Sequence, residues 1–124
     1  MLNINSEENY KTKNMNFTHI KGDTFDEVPF GIKVNNVALD LTGATIKMQL
    51  KKPQDLTIAA LSLTSVGSAG ITITNATGGL FKINQQIIDI EVFNYAYDLQ
   101  ITLASGNRKT RVSGTFSITQ EITT

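Results

Sequence analysis

The chain has 124 residues, of which 40% are hydrophobic and 18% charged, and its eleven basic and eleven acidic side chains cancel to a formal net charge of zero. This length predicts one domain that buries about two thirds of the surface of its unfolded chain, so it needs neither a metal nor a disulfide for stability. A neutral chain without cysteine, and without the roughly 20 consecutive apolar residues of a membrane helix, predicts no nucleic-acid partner, no membrane partner and no cofactor.

Residues 1–15 read MLNINSEENYKTKNM and show no clear period. They predict an N-terminal arm that is flexible or becomes ordered only on a partner. Because no apolar h-region is present, we expect no signal peptide in this stretch. Residues 16–124 are predicted to form a single β-sandwich domain.

Alternation of apolar and polar residues begins after residue 16 and has the period of a β-strand. Asn35 and Asn36, and then Thr42 and Gly43, are turn signals within it. The segments VPFGIKV, VALDL and ATIKMQL predict strands whose inward side chains are Val28, Phe30, Ile32, Val34, Val37, Leu39, Leu41, Ala44, Ile46, Met48 and Leu50.

The pattern is weaker in residues 53–94. LTIAALSLTSV favours a strand, although its two adjacent alanines also permit a helical turn. GSAG and NATGG predict turns, and ITIT and LFKIN predict short strands. In QQIIDIEVF the β-branched residues favour a strand or an irregular loop, since no capping residue introduces a helix.

The last third of the chain predicts a hairpin over residues 97–118. YDLQITL and RKTRVSGTFSIT alternate on both sides of the turn sequence ASGN, in which Gly106 supplies a positive φ. Gly114 interrupts the inward row between Val112 and Phe116, which predicts a bulge or a close crossing by another strand. Seven to nine short strands at this spacing are typical of an antiparallel sandwich or barrel, so the predicted fold class is all-β.

Little in the sequence points to catalysis. A zinc site needs three or four ligands and a catalytic triad needs a histidine beside a nucleophile, whereas His19 is the sole histidine of the chain. The carboxylates of GDTFDE are expected to be solvated turn residues, and those of Asp89 and Glu91 the solvent side of an extended segment. We therefore expect no enzymatic activity and no metal site.

Two stretches resemble a known family. Residues 20–52, IKGDTFDEVPFGIKVNNVALDLTGATIKMQLKK, and residues 97–119, YDLQITLASGNRKTRVSGTFSIT, are similar to the two halves of small structural proteins of tailed phages and prophages. The same pattern resembles the N-terminal immunoglobulin-like domain of phage baseplate upper proteins. The resemblance implies an antiparallel immunoglobulin-like β-sandwich, located in the virion and assembled in the bacterial host cytoplasm.

Two functions remain open at this point. The resemblance implies a structural subunit of a baseplate, tail or head that contacts itself or another virion protein and forms a homo-oligomer in the particle. The alternative is a ligand- or carbohydrate-binding sandwich, which needs a groove lined with aromatic residues. Interaction residues are predicted in an aromatic group, if those rings face solvent, and in a basic group on the last hairpin: Phe93, Tyr95, Tyr97, Arg108, Lys109 and Arg111.

Overall fold

The structure, a computed structural model, describes residues 1–6 and 12–123, and these form strands, turns and a short 3-10 turn at Val66–Ser68. The strands in chain order are β1 (Leu2–Ser6), β2 (Lys13–Asn14), β3 (Phe17–Ile20), β4 (Thr24–Phe25), β5 (Val28–Val34), β6 (Val37–Ala38), β7 (Thr45–Lys52), β8 (Asp55–Thr64), β9 (Ile71–Asn75), β10 (Leu80–Ile83), β11 (Gln86–Ile87), β12 (Phe93–Thr102) and β13 (Arg108–Thr119). The prediction of an all-β sandwich is confirmed.

Two sheets make up the layers of the sandwich. The first has the strand order β1-β5-β10-β9, with β6 paired to β5, and the second has the order β2-β13-β12-β7-β8, with β3 also paired to β13. Strands β5, β10 and β9 occupy the places of B, E and D of an immunoglobulin sandwich, and β13, β12, β7 and β8 those of G, F, C and C′. Strands β4 and β11 form a separate small pair.

The sheets are mixed, whereas the prediction was purely antiparallel. Strand β1 pairs with β5 in parallel, and β2 and β3 both pair with β13 in parallel. The described strands also outnumber the predicted seven to nine, because the N-terminal segment and the loops contain strands of only two residues. Hairpin signals in the sequence reveal antiparallel neighbours, but a parallel pair joins segments far apart in the chain and leaves no local signal.

The core lies between the two sheets. Phe30 and Phe81, from neighbouring strands of the first sheet, stack with ring centroids 5.0 Å apart, and burial of such a side chain contributes about 1.5–3 kcal/mol. The predicted inward residues are buried or half-buried, except Val37, which is exposed because β6 is a two-residue strand beside the Asn35–Asn36 turn. The buried hydrophobic residues form one cluster: Ile4, Phe25, Phe30, Ile32, Leu41, Ile46, Met48, Leu50, Leu63, Ile71, Phe81, Ile83, Ile88, Tyr95, Tyr97, Leu99, Ile101, Val112, Phe116 and Ile118.

The predicted N-terminal arm is partly integrated into the sandwich. Ile4 of β1 is only 2% exposed and belongs to the core cluster, and its strand extends the first sheet. Strands β2 and β3 then extend the second sheet. The structure therefore differs from a free arm at residues 2–6 and 13–15, while residues 7–11 of the predicted arm lie outside the described residues.

Aromatic contacts attach β3 to the hairpin of β12 and β13. The ring of Phe17 lies 5.3 Å from that of Phe116 and 5.7 Å from that of Tyr97. The Tyr97 hydroxyl donates a hydrogen bond of 2.6 Å to the carbonyl oxygen of Met15. Tyr97 thus contributes both an apolar ring and a polar end to the attachment of the N-terminal segment.

The predicted hairpin is confirmed, and so is the close crossing at Gly114. Strands β12 and β13 pair in register from Phe93 opposite Ile118 to Leu99 opposite Val112, and a bulge at Arg111 shifts the register beyond. The N-terminal segment crosses beside Gly114, where a Cβ atom would overlap the carbonyl oxygen of Met15. The glycine is needed because the Met15 backbone, together with the Asn16 side chain, occupies that space.

Replacing Gly114 with alanine is therefore expected to destabilise the protein. The added methyl group has to displace the Met15 backbone, and overpacking of this kind costs about 1–3 kcal/mol in the free energy of unfolding. Urea denaturation measures the loss. Thr115→Ala, an exposed position on the same strand, is the matched control and should change stability by less than about 0.5 kcal/mol. Equal effects of the two variants would contradict the close crossing.

Candidate interaction surface

Exposed aliphatic side chains concentrate at one end of the sandwich. We call this the β7–β8 end, since the turn between those strands lies there, and define it as residues 20–29, 51–58, 82–93 and 119–123. Strands β3, β7, β10 and β13 finish at this end, and β5, β8 and β12 begin at it. Six of the ten exposed large hydrophobic residues of the described chain belong to it: Ile20, Leu56, Ile58, Ile87, Val92 and Ile122.

A bulge at the start of β8 produces two of these exposed residues. Lys52 of β7 pairs with Asp55, but the preceding Lys51 already pairs with Ala59, so residues 56–58 have no opposite residues on β7. An irregularity of this size re-aims side chains out of the sheet. Leu56 and Ile58 are 59% and 66% exposed as a result.

The tripeptide Asp-Leu-Thr occurs twice, at residues 40–42 and 55–57, with the same local hydrogen bonds. The aspartate Oδ1 accepts bonds from the hydroxyl and the backbone nitrogen of the threonine, 2.6 and 2.9 Å long in the first copy and 2.5 and 3.1 Å in the second. These bonds stabilise the carboxylate and lower the pKa of both aspartates. The central leucine is buried in the first copy and exposed in the second.

A cavity of about 430 Å³ lies between the β8 bulge and the loop that precedes β12. Its wall includes an ion pair of 2.7 Å between the Lys52 Nζ and the Glu91 Oε2, and the hydrogen bond with Glu91 raises the pKa of Lys52. The same ammonium group lies 4.9 Å from the ring centre of Phe93. The lining residues are Lys52, Asp55, Ile58, Ala60, Ile90, Glu91 and Tyr95.

Tyr95 holds the loop on one side of this cavity. Its ring is buried, and its hydroxyl donates a hydrogen bond of 2.6 Å to the backbone carbonyl of Glu91, four residues earlier. A tyrosine near the start of strand F that bonds to the backbone just upstream is the tyrosine corner of immunoglobulin-like sandwiches. Tyr97, two residues later, occupies the position that carries a disulfide cysteine in antibody domains.

Three ion pairs surround the exposed aliphatic residues. Besides the pair of Lys52 with Glu91, Lys21 pairs with Asp89 at 2.6 Å and Lys82 pairs with Glu27 at 3.1 Å. The pairs Lys52–Glu91 and Lys21–Asp89 anchor both sides of the loop 88–92. All three are solvent-accessible, so each contributes at most about 1 kcal/mol to stability, and their main effect is to give the end a polar border.

The predicted interaction residues do not form one surface. Tyr95 and Tyr97 are buried, so their rings do not meet the condition of facing solvent, because β12 is a central strand whose alternate residues face the core. Phe93 is half-buried and lies at the β7–β8 end. Arg108 is exposed and Lys109 half-buried at the opposite end of the sandwich, and Arg111 is buried at the bulge of β13, so its side chain is not displayed on the surface.

Sequence reasoning missed the six exposed aliphatic residues. LTIAALSL favours a strand, but its apolar row changes phase at the two alanines, from Leu56 and Ile58 to Leu61 and Leu63. This change of phase is the signal of the bulge that turns Leu56 and Ile58 outward, and it was interpreted only as an irregular stretch or a helical turn. The position of these residues in the chain also indicates their exposure. Each of the six lies within a few residues of a predicted strand end, where no second sheet is available to cover its side chain.

The described residues offer no constellation for metal or acid–base chemistry. In residues 1–6 and 12–123, no three His, Cys, Asp or Glu side chains come together in a way that could hold a metal ion. The imidazole Nε2 of His19 lies 2.9 Å from the backbone oxygen of Asp23 and its ring contacts Phe25 edge-on, so it stabilises a turn.

No helix in residues 1–6 and 12–123 is long and apolar enough to span a membrane. No protein-family model matches the chain, and neither does any curated protein.

Replacing Tyr95 with phenylalanine tests the tyrosine corner. Loss of the bond to the Glu91 carbonyl is expected to lower the free energy of unfolding by about 1 kcal/mol and to speed amide hydrogen exchange in residues 88–92. Tyr97→Phe is a matched control because it removes an equivalent bond, to Met15, elsewhere. Exchange in residues 88–92 should remain at the wild-type rate in this control, and acceleration in both variants would contradict a local role for Tyr95.

The two Asp-Leu-Thr turns predict part of the acid sensitivity. A carboxyl whose pKa is lowered by folding stabilises the protein above its ordinary pKa of 3.8, and that contribution is lost as pH falls through the lower folded value. The urea concentration at which half of the wild-type protein is unfolded should therefore decrease when the pH is lowered below 3.8. The double variant Asp40→Asn with Asp55→Asn should show a smaller fall, and an unchanged pH dependence would contradict the assignment.

Proposed function

We propose that the chain is a non-enzymatic structural subunit of a bacteriophage or prophage virion and that it acts through protein–protein contacts at the β7–β8 end. The observation that carries the proposal is the concentration there of six exposed aliphatic side chains. Single exposed hydrophobic residues are normal on protein surfaces, but a group of them with a polar border is typical of an interaction site.

The composition of this end suits a protein partner. Full burial of a leucine or isoleucine side chain contributes about 1.5–3 kcal/mol, so a partner that covers Leu56, Ile58 and Ile87 gains several kilocalories per mole before the costs of association. The ion pairs at the border remain solvated and can orient the partner without having to be buried.

The virion assignment is supported by the resemblance of residues 20–52 and 97–119 to small phage structural proteins. The first of these stretches supplies β4 to β7 and the second supplies the hairpin of β12 and β13, so together they provide strands of both sheets. A neutral β-sandwich suits a component that is built into a particle in the host cytoplasm, and the particle position we propose is a baseplate, tail or head-associated one.

The carbohydrate-binding alternative is less well supported. A sugar platform needs aromatic rings whose faces are open to solvent. In the part of the chain that the structure describes, the phenylalanine and tyrosine rings are buried, apart from the half-buried Phe17 and Phe93. The 430 Å³ cavity is lined by aliphatic and charged groups, and the one aromatic residue in its wall is the buried Tyr95.

The test is incorporation into particles. Density-gradient-purified particles from bacteria that produce the encoding phage or prophage should contain the chain, detected by mass spectrometry. The double variant Ile58→Ser with Ile87→Ser should be incorporated at least about tenfold less, since loss of about 1.4 kcal/mol already gives that factor.

Val66→Ser is the matched control, because Val66 is 64% exposed but lies on the 3-10 turn, which is not among the residues that define the β7–β8 end. It should be incorporated like the wild type, and all variants should retain wild-type thermal stability. Particles that lack the wild-type chain, or incorporation that is unaffected by the double variant, would overturn the proposal.

A further inference from the structure

We propose that copies of this chain associate head to tail, with the β7–β8 end of one copy on the opposite end of the next. We call the opposite end the β12–β13 end, since the turn of that hairpin lies there. The residues of this end that the argument uses are Lys33, Val37, Asp40 and Arg108. The inference rests on the proposed function, because it names a second copy as the partner of the same surface. It is argued from the distribution of charge along the strands.

The β7–β8 end is acidic although the chain as a whole is neutral. The residues that define it include four lysines and seven carboxylates, a net charge of −3. Because the formal net charge of the whole chain is zero, the remainder carries +3. The acidic members are Asp23, Asp26, Glu27, Asp55, Asp89, Glu91 and Glu121.

Three of these carboxylates are available to meet a cation from another molecule. The ion pairs of the described residues engage Glu27, Asp89 and Glu91, and the carboxylate of Asp55 is bonded to Thr57 within its own turn. The remaining three are Asp23, Asp26 and Glu121. Asp26 and Glu121 are exposed, and Glu121 adjoins the fully accessible Ile122. Acidic and aliphatic groups are thus interspersed at this end.

The β12–β13 end has the complementary chemistry. Lys33 near the end of β5 and Arg108 at the start of β13 are both exposed there. Val37, 68% exposed, lies opposite Val34 on the strand that pairs with β5, next to Lys33, and offers an apolar contact. The carboxylate of Asp40, at the same end, is already bonded within its own turn to Thr42.

Charge decides between the two ways in which the β7–β8 end can meet a second copy. A two-fold contact would place two surfaces of charge −3 against each other, and such like-charge juxtaposition is unfavourable. A head-to-tail contact places the acidic end of one copy against Lys33 and Arg108 of the next. Such a contact is heterologous, so repetition closes into a ring or extends as a filament.

Sedimentation equilibrium at low and high salt, with charge-reversal variants, tests the arrangement. The tail variant is altered at the acidic β7–β8 end and carries Asp26→Lys and Glu121→Lys. The head variant is altered at the β12–β13 end and carries Lys33→Glu and Arg108→Glu. Each variant alone should associate at least about tenfold more weakly than the wild type at low salt, and high salt should weaken wild-type association as well. An equimolar mixture of the two variants should associate again, because each then presents the opposite charge to the other.

Ser62→Lys is the control, since Ser62 is exposed on β8 and belongs to neither end. It should associate like the wild type. Unchanged association of the head variant would overturn the head-to-tail arrangement in favour of a two-fold contact, and a chain that is monomeric at every salt concentration would overturn self-association. In both cases the proposed function is judged separately, by incorporation of the chain into particles.

Discussion

The pairing of β12 in a single register is the constraint on which the rest of the sandwich depends. The strand is hydrogen-bonded on both sides, to β7 and β13, and Tyr95, Tyr97 and Leu99 face the core. A shift of one residue would turn all of them to solvent and bring polar neighbours inside. The loss of several buried side chains at about 1.5–3 kcal/mol each is comparable with the total stability of a small domain, so only one register is accessible.

The same strand determines where the surfaces of the molecule can be used. Its outward residues, such as Asp98 and Gln100, are half-buried polar groups in the face of the sheet. Near the start of the strand, Tyr95 ties the loop 88–92 through its hydroxyl group, and the β8 bulge faces that loop across a cavity. The regular interior therefore provides a rigid support, and the aliphatic groups that a partner could cover are displayed at its end.

Local periodicity predicted the parts of the fold that depend on local chemistry. The inward rows of β7 and of the last hairpin were predicted correctly because every second residue, from Ile46 to Leu50 and from Tyr97 to Ile101, is apolar and ends in the core. Ile4 was assigned to a free arm because its partner in β5 is far away in the chain. Leu56 and Ile58 were missed because the change of phase between Ile58 and Leu61 was interpreted as an irregular stretch or a helical turn, and not as a bulge that points both side chains outward.

The parallel pairing of β2 and β3 with β13 determines how the molecule responds to force. From Lys13 to Lys21 the N-terminal segment runs alongside Val112 to Thr119 in the same direction. The two stretches are joined by the backbone hydrogen bonds of the β-ladder, and the backbone nitrogens of Met15 and Lys21 donate further hydrogen bonds to carbonyl oxygens of β13. If the chain is pulled apart through the segments before and after this pair, the two strands are drawn past each other lengthwise. The cross-strand hydrogen bonds are then loaded together in shear and cannot open one at a time like a zipper, so the sandwich is built to resist tension along its strands.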